Sequence, residues 1–328
     1  MNKKVLQSDG LLLLTSCIWG FAFVAQRVGN KFVGPFTFNG IRFLLGSLSL
    51  LPLIFFLSLK NKKSAVGTTG KETKGGAKSV IFASVVSGLC LWFAASLQQI
   101  GLLWTTAGNS GFITGIYVVL VPIFGIFLGR KTGIPTWIGA LLTLSGLFFV
   151  SGVFDFDSIN RGDMLTAISG VLWTVHVLLI DSFVKKIDAI KLSCGQFTVC
   201  GILSLAAAAA GISTKLGLSG GVEIFSKAFC FASLADVAVP LLYGGICSVG
   251  IAYTLQAVAQ KTAPPAHASI ILCLESVFAA LGGVLLLHEK PGTWTVLGFC
   301  LMLSGMLATQ WDVINPFNHS KDKSHVQS

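Results

Sequence analysis

The chain has 328 residues, of which 53% are hydrophobic and only 11% charged, and its mean hydropathy is +0.81. Those values lie far outside the range of soluble domains and make the bilayer the medium in which the chain folds. A formal net charge of +10 does not imply nucleic acid, because the basic residues cluster between apolar runs.

Residues Met1 to Asp9 are short and polar, and the apolar run Gly10 to Val28 follows. Leu14-Thr15-Ser16-Cys17 resembles a lipoprotein cleavage box, but the run continues past Cys17, so the stretch reads as span 1 rather than a signal peptide. Span 2, Gly34 to Leu59, carries Arg42, which either bonds carbonyls for structure or binds a ligand. Lys60 to Lys78 is a Lys-, Gly- and Thr-rich linker without apolar period, expected to be flexible and solvated. Its Gly67-Thr68-Thr69-Gly70-Lys71 lacks the spacing and the preceding strand of a phosphate-binding loop, so no nucleotide hydrolysis is expected.

Span 3 covers Ser79 to Leu102 and span 4 Thr105 to Leu128. Span 4 contains Gly111, Gly115, Gly125 and Gly129 at four-residue spacing, together with Pro122, which predicts close packing inside the bundle. Span 5 is Gly133 to Gly152, the acidic connector Asp155 to Asp163 follows, and span 6 runs from Arg161 to Phe183. Span 7 is Ile190 to Gly211, and Gly217 to Ala232 suits a short interfacial helix. Span 8 is Leu234 to Ala259, span 9 Ala266 to Leu287 and span 10 Thr293 to Trp311, before the polar stretch Asn315 to Ser328.

Span 9 is long enough to cross roughly 30 Å of hydrocarbon, and Glu275 sits at its midpoint. Burying such a charge in lipid costs about 3 kcal/mol, so Glu275 should face protein or a wet cavity and is a site candidate by default.

The second half of the chain repeats the first. Ser96-Leu97-Gln98 corresponds to Thr254-Leu255-Gln256 (256 − 98 = 158), which pairs Asn109 with His267 and Tyr117 with Glu275. Upstream, Trp19 pairs with Trp173 and Arg42-Phe43 with Gln196-Phe197 (173 − 19 = 154). Downstream, Gly139 pairs with Gly298 and Ser145-Gly146 with Ser304-Gly305 (298 − 139 = 159).

Ten spans put both ends on one side, and the excess of loop lysines on that side makes it the cytoplasm. Five spans per unit is odd, so the second unit lies upside down relative to the first. The expectation is an all-α integral membrane protein with ten transmembrane helices as two inverted five-helix repeats. Residues 1–152 form the first repeat with its cytoplasmic Lys-rich linker 60–78, 153–312 the second, and 313–328 a polar cytoplasmic tail. This is a recurrent plan of secondary transporters, with the substrate near the midplane between the repeats.

Trp19-Gly20-Phe21-Ala22-Phe23-Val24, Asn39-Gly40-Ile41-Arg42-Phe43, the stretch Gly111 to Pro122, and Leu274-Glu275-Ser276-Val277-Phe278 with His288-Glu289 resemble the EamA-type branch of the drug/metabolite transporter superfamily. The resemblance covers Gly10 to Trp311. It implies ten helices in two inverted repeats, a central cavity and movement of small metabolites, often export of amino acids or related compounds, across the cytoplasmic membrane of a bacterium. Two places depart from the family's pattern. Ser276 stands where proline often follows the glutamate, which puts a kink there in doubt, and Arg130-Lys131 stands where the first repeat often carries glutamate.

Candidate substrate-binding residues are polar and aromatic side chains at matched depths. Trp19 and Trp173 offer flat walls for an apolar or cationic group, or serve as plain packing. Arg42 suits a carboxylate, and Gln98, Gln256 and Asn109 suit an amide or amino group. Tyr117 and Glu275 are expected to face each other across the cavity, and Trp92, His176 and Tyr253 complete the set, His176 also being suited to bridging helices. Glu275 binds a substrate ammonium, exchanges a coupled proton, or makes a structural bond. Asp181 has a bland partner in Lys185, four residues on.

No metal site or other cofactor is expected: no histidine pair has ligand spacing, and the eight cysteines lie mainly in spans without a CxxC. His288-Glu289 lacks the second histidine of a zinc protease helix, and no nucleophile has a nearby base, so an intramembrane enzyme ranks behind a transporter. The alternatives are uptake of a vitamin or nucleoside-like metabolite and, further off, a membrane enzyme or a channel. The partners expected are a small-molecule substrate and the lipid bilayer, with a coupled proton open, no nucleic acid, and an oligomeric state the sequence does not address.

Overall fold

The computed structural model describes residues 3–65, 76–130, 132–151, 160–218, 221–224, 232–288 and 294–309. The centre of the Lys-rich linker, Lys131, most of the acidic connector, most of the Gly217 to Ala232 stretch, Glu289, Lys290 and the polar tail lie outside them.

Hydrocarbon offers no partner for backbone N–H and C=O groups, so apolar runs of this length close their hydrogen bonds internally as helices. The first half holds α1 (Lys3–Gly29), α2 (Pro35–Ala65), α3 (Ala77–Gly101), α4 (Ala107–Thr114), α5 (Tyr117–Phe127) and α6 (Ile134–Ser151). The second holds α7 (Arg161–Val184), α8 (Ala189–Ala209), the short α9 (Ile212–Lys215), α10 (Ala232–Asp236) and α11 (Ala238–Leu242). A π-helical segment, Tyr243–Tyr253, runs on from α11 into α12 (Thr254–Ala259), and α13 (Pro265–Leu272), α14 (Glu275–Leu287) and α15 (Thr295–Thr309) follow.

Counting α4–α5, α11–α12 and α13–α14 as one span each, eight helices among the described residues are long and apolar enough to cross a membrane. Two shorter apolar helices, Ile134–Phe149 and Val296–Ala308, fall where spans 5 and 10 were expected.

Two local expectations need correction. Helix α2 continues to Ala65, six residues into the expected flexible linker, because lysines extend a helix readily once it has left the apolar layer. The second pair of span 4 glycines does not pack helices together. Gly129, with φ +73°, ends the helix in a left-handed turn, and a Cβ on Gly125 would meet only Arg130. Most of the Gly217 to Ala232 stretch, expected as a short interfacial helix, lies outside the described residues; within it, Val222 pairs with Val33, and Glu223 accepts from Phe36 N (3.2 Å) and Thr37 N (2.7 Å) at the start of α2. The carboxylate thus caps an orphan helix N-terminus from a distant loop.

Both central spans break at equivalent places, Gly115-Ile116 and Cys273-Leu274. At each, the chain tightens through three-residue bonds, Val118 N to Gly115 O at 3.0 Å and Ser276 N to Cys273 O at 3.1 Å. Ser276 lies just after its break and donates Oγ to Cys273 O at 2.6 Å. A serine bonding back to its own turn bends a helix, so here the kink forms without proline.

Equivalent helices meet across the two halves and run antiparallel. In α2 and α8, Gly40 lies against Leu205 while Gly201 lies against Leu44. In α6 and α15, a Cβ on Gly146 would come within 2.6 Å of Gly298 O, and one on Gly305 within 2.7 Å of Gly139 O. The broken spans cross in the same sense, α4 packing on α14 and α5 on α13. At the crossing, Cys273 Sγ contacts Gly115 O (3.2 Å) and Tyr117 Oη contacts Glu275 Oε1 (3.3 Å). Residues related by a two-fold rotation touch their own counterparts only on the axis, so a pseudo-two-fold axis passes through this point.

Candidate functional site

Around that crossing lies a small cavity of about 40 Å³. Helix α1 brings Trp19, Ala22, Phe23 and Gln26, which follow the three- and four-residue steps of one helix face. The approach is close because of Gly20: a Cβ there would sit 2.7 Å from Glu275 O, so glycine lets α1 press against the start of α14. The π-helical segment and α12 add Ser248, Tyr253 and Gln256. Five-residue hydrogen bonding is rare and recurs at functional sites; here Ser248 O accepts from Trp19 Nε1 at 3.2 Å.

Of the candidate residues, Trp19, Arg42, Gln98, Tyr117, Trp173, Tyr253, Gln256 and Glu275 all line this cavity. Several are repeat counterparts: Trp19 with Trp173, Gln98 with Gln256, and Tyr117 with Glu275. Three lie elsewhere. His176 is buried one layer behind, its Nε2 bonded to Gln196 Oε1 at 2.9 Å and its ring edge-on to Trp173, so it bridges α7 and α8. Trp92 packs on Phe93 with ring centroids 4.7 Å apart. Asn109 sits in the first turn of α4, where its backbone N donates to the capping Thr106 Oγ1 at 3.0 Å. Asp181 does bond Lys185, at 2.9 Å, and Arg130 as well.

Gln26, Thr114 and Ser248 are polar lining residues that the sequence reading passed over. Gln26 was findable, lying seven residues after Trp19 on the same helix face. Thr114 Oγ1 accepts from Gln98 Nε2 at 2.9 Å and so holds that amide in place.

The cavity's polarity is divided between two ionisable side chains. Arg42 is only 3% exposed, and its guanidinium lies over the rings of Phe43 (4.9 Å) and Phe38 (5.6 Å). Its Nε is buried without a hydrogen-bond partner, and among the described residues no carboxylate lies within ion-pair distance. Glu275 is 5% exposed, and among the described residues its one polar contact is the 3.3 Å bond from Tyr117. Trp19 and Tyr253 (centroids 4.5 Å) and Trp173 and Tyr253 (6.0 Å, stacked) form an aromatic wall beside these groups.

Spanning helices in two pseudo-symmetric halves, with broken helices crossing at a polar cavity, define a multi-pass membrane transporter. The chain belongs to the EamA-like transporter family, whose sequence profile matches it twice, over residues 7–152 and 160–310. It is 28% identical to an uncharacterized transporter of Archaeoglobus fulgidus over 87% of this chain and 80% of that protein. It is 23% identical to the uncharacterized transporter YoaV of Bacillus subtilis, over 95% and 97%. Mouse solute carrier family 35 member F6 matches at 25% identity over 56% of this chain and 54% of its own length. A crystal structure superposes with a TM-score of 0.65 over 92% of this chain and 95% of its own at 16% identity, a likeness of fold.

Proposed function

We propose that this transporter moves a small zwitterionic metabolite, an amino acid or close relative, outward across the cytoplasmic membrane by alternating access. The observation that carries the reading is the pair Arg42 and Glu275, a buried guanidinium and a buried carboxyl group lining one cavity, neither in an ion pair among the described residues. Charges so placed are costly unless something neutralises them. A carboxylate on Arg42 and an ammonium on Glu275 would do so at once, with the substrate's side chain against Trp19, Trp173 and Tyr253.

In this proposal the first repeat, 1–152, and the second, 153–312, each supply five crossing helices, the short α6 and α15 included, and the ends of the chain are cytoplasmic. The antiparallel packing of equivalent helices supports inversion, and the lysine excess of the expected inner loops supports the orientation. Exchange of a coupled proton at Glu275 is an added role for the same carboxylate.

The test is uptake into proteoliposomes of labelled aromatic and aliphatic amino acids, nucleosides, vitamins and polyamines, with and without a pH gradient. Saturable uptake of amino acids, lost in Glu275→Gln at equal protein content, is the expected result. Uptake of nucleosides or vitamins alone would replace the zwitterion reading, and uptake retained in Glu275→Gln would remove Glu275 from it.

A further inference from the structure

A second pocket, of about 250 Å³, opens where the ends of α5, α7 and α12 meet the start of α13. Its mouth is basic. Arg130, Lys185 and Lys261 all line it, and the opposing carboxylate is Asp181, fully buried, whose Oδ2 accepts from both Lys185 Nζ and Arg130 Nη1. One carboxylate against two cations leaves one positive charge, and Lys261, exposed and without an ion pair among the described residues, adds another. Loop lysines of the positive-inside kind need no pocket; these border a concavity.

The floor of this pocket leads toward the central cavity. Val121 lies one helical turn beyond Tyr117 on α5, and Gln260 lies one turn beyond Gln256 on the helix from α12; Val121 and Gln260 line this pocket while Tyr117 and Gln256 line the other. Gln260 Nε2 donates at 3.2 Å to the carbonyl of Val177, itself a lining residue of the central cavity. One layer, Val121, Val177 and Gln260, therefore separates the two spaces. Gln260 is fully buried, and its Oε1 has no hydrogen-bond partner among the described residues. That is an unfilled acceptor in the wall of a basic pocket.

We propose that this pocket is an entry site for a soluble anionic solute, a small carboxylate or phosphate monoester that also carries a hydrogen-bond donor, held there before it passes the Val121–Val177–Gln260 layer. Lys261, Lys185 and Arg130 take the anionic group, and Gln260 Oε1 receives the donor. A lipid phosphodiester meets the same cations, but the floor runs inward along α5. This inference rests on the transport reading for its destination, although the site itself does not depend on which substrate the central cavity takes.

The experiment is thermal melting of the full chain in neutral detergent, titrated with sodium citrate and with sodium phosphate against sodium chloride at equal ionic strength. Wild-type protein should show a saturable rise in melting midpoint with citrate or phosphate. Lys261→Gln should weaken the apparent Kd about tenfold, and Lys261→Arg should restore it. Arg42→Gln should leave that Kd unchanged, which separates this site from the central one. Equal Kd in wild type and Lys261→Gln, or no rise beyond chloride, overturns the proposal. Loss of the effect in Arg42→Gln would put the anion in the central cavity. A Lys261-dependent rise with phosphatidylglycerol micelles and none with soluble anions would assign the pocket to a lipid headgroup. Failure of amino acid uptake with the Lys261-dependent shift intact would sink the zwitterion reading and leave the pocket standing.

Discussion

Tyr117 and Glu275 occupy the same position in the two halves and meet at 3.3 Å, so one site residue is presented by each repeat to the axis between them. That bond is long, and Tyr117→Phe should lower uptake only a few-fold, whereas Glu275→Gln should lower it at least a hundredfold, measured as initial rates in proteoliposomes. Arg42 should behave differently from a structural arginine. Arg42→Lys keeps the charge but loses the planar fork that grips a carboxylate, so KM should rise about tenfold with the protein level unchanged. Equal loss of folded protein in Arg42→Lys would mean that its stacking on Phe38 and Phe43 is what the fold requires.

Among the elements, α1 and α14 carry a sharp constraint, because Gly20 lets the helix lie directly on the backbone at Glu275. A methyl group there forces the two helices apart. Gly20→Ala should cost about 1–3 kcal/mol and, by shifting Trp19, reduce uptake as well; melting and transport together check it. The ends of the two broken spans make a second case. Gly129 (φ +73°) and His288 (φ 54°) close equivalent helices with left-handed residues, and only the first is a glycine. His288→Gly should therefore stabilise the protein by about 1 kcal/mol, seen as a higher melting midpoint. A lower midpoint would show that the histidine side chain makes up for its backbone conformation.

For the whole molecule, the pseudo-two-fold arrangement makes a statement about sidedness. In a cysteine-free background, Lys261→Cys and Lys4→Cys should react with a membrane-impermeant thiol reagent from one face of sealed vesicles, and Lys215→Cys from the other. Labelling of all three from one face would contradict the ten-helix inverted arrangement. The same packing explains why the cavity is lined in pairs. Trp19 and Trp173, and Gln98 and Gln256, are brought to a shared centre by helices that exchange partners between halves, α1 packing on α14 while α7 packs on α4 and α5.

Much of this was legible in the chain itself. Apolar length dictates helices when the surroundings supply no hydrogen bonds, and a repeat read at offsets of 154 to 159 residues places Trp19 opposite Trp173 and Tyr117 opposite Glu275. A carboxylate midway along span 9 marks a polar interior for the same energetic reason. Three things only the tertiary structure decided. Trp92, Asn109 and His176 have suitable chemistry but sit outside the cavity, since which face of a helix turns inward depends on its neighbours. Ser248 and Tyr253 reach the cavity together because a π-helical turn brings residues five apart near one face, where α-helical spacing would separate them. The basic pocket joins Arg130, Lys185 and Lys261, residues far apart in the chain that meet only when α5, α7 and α12 end side by side. Sequence spacing records local periodicity and internal repetition; the convergence of distant helix ends is a property of their packing.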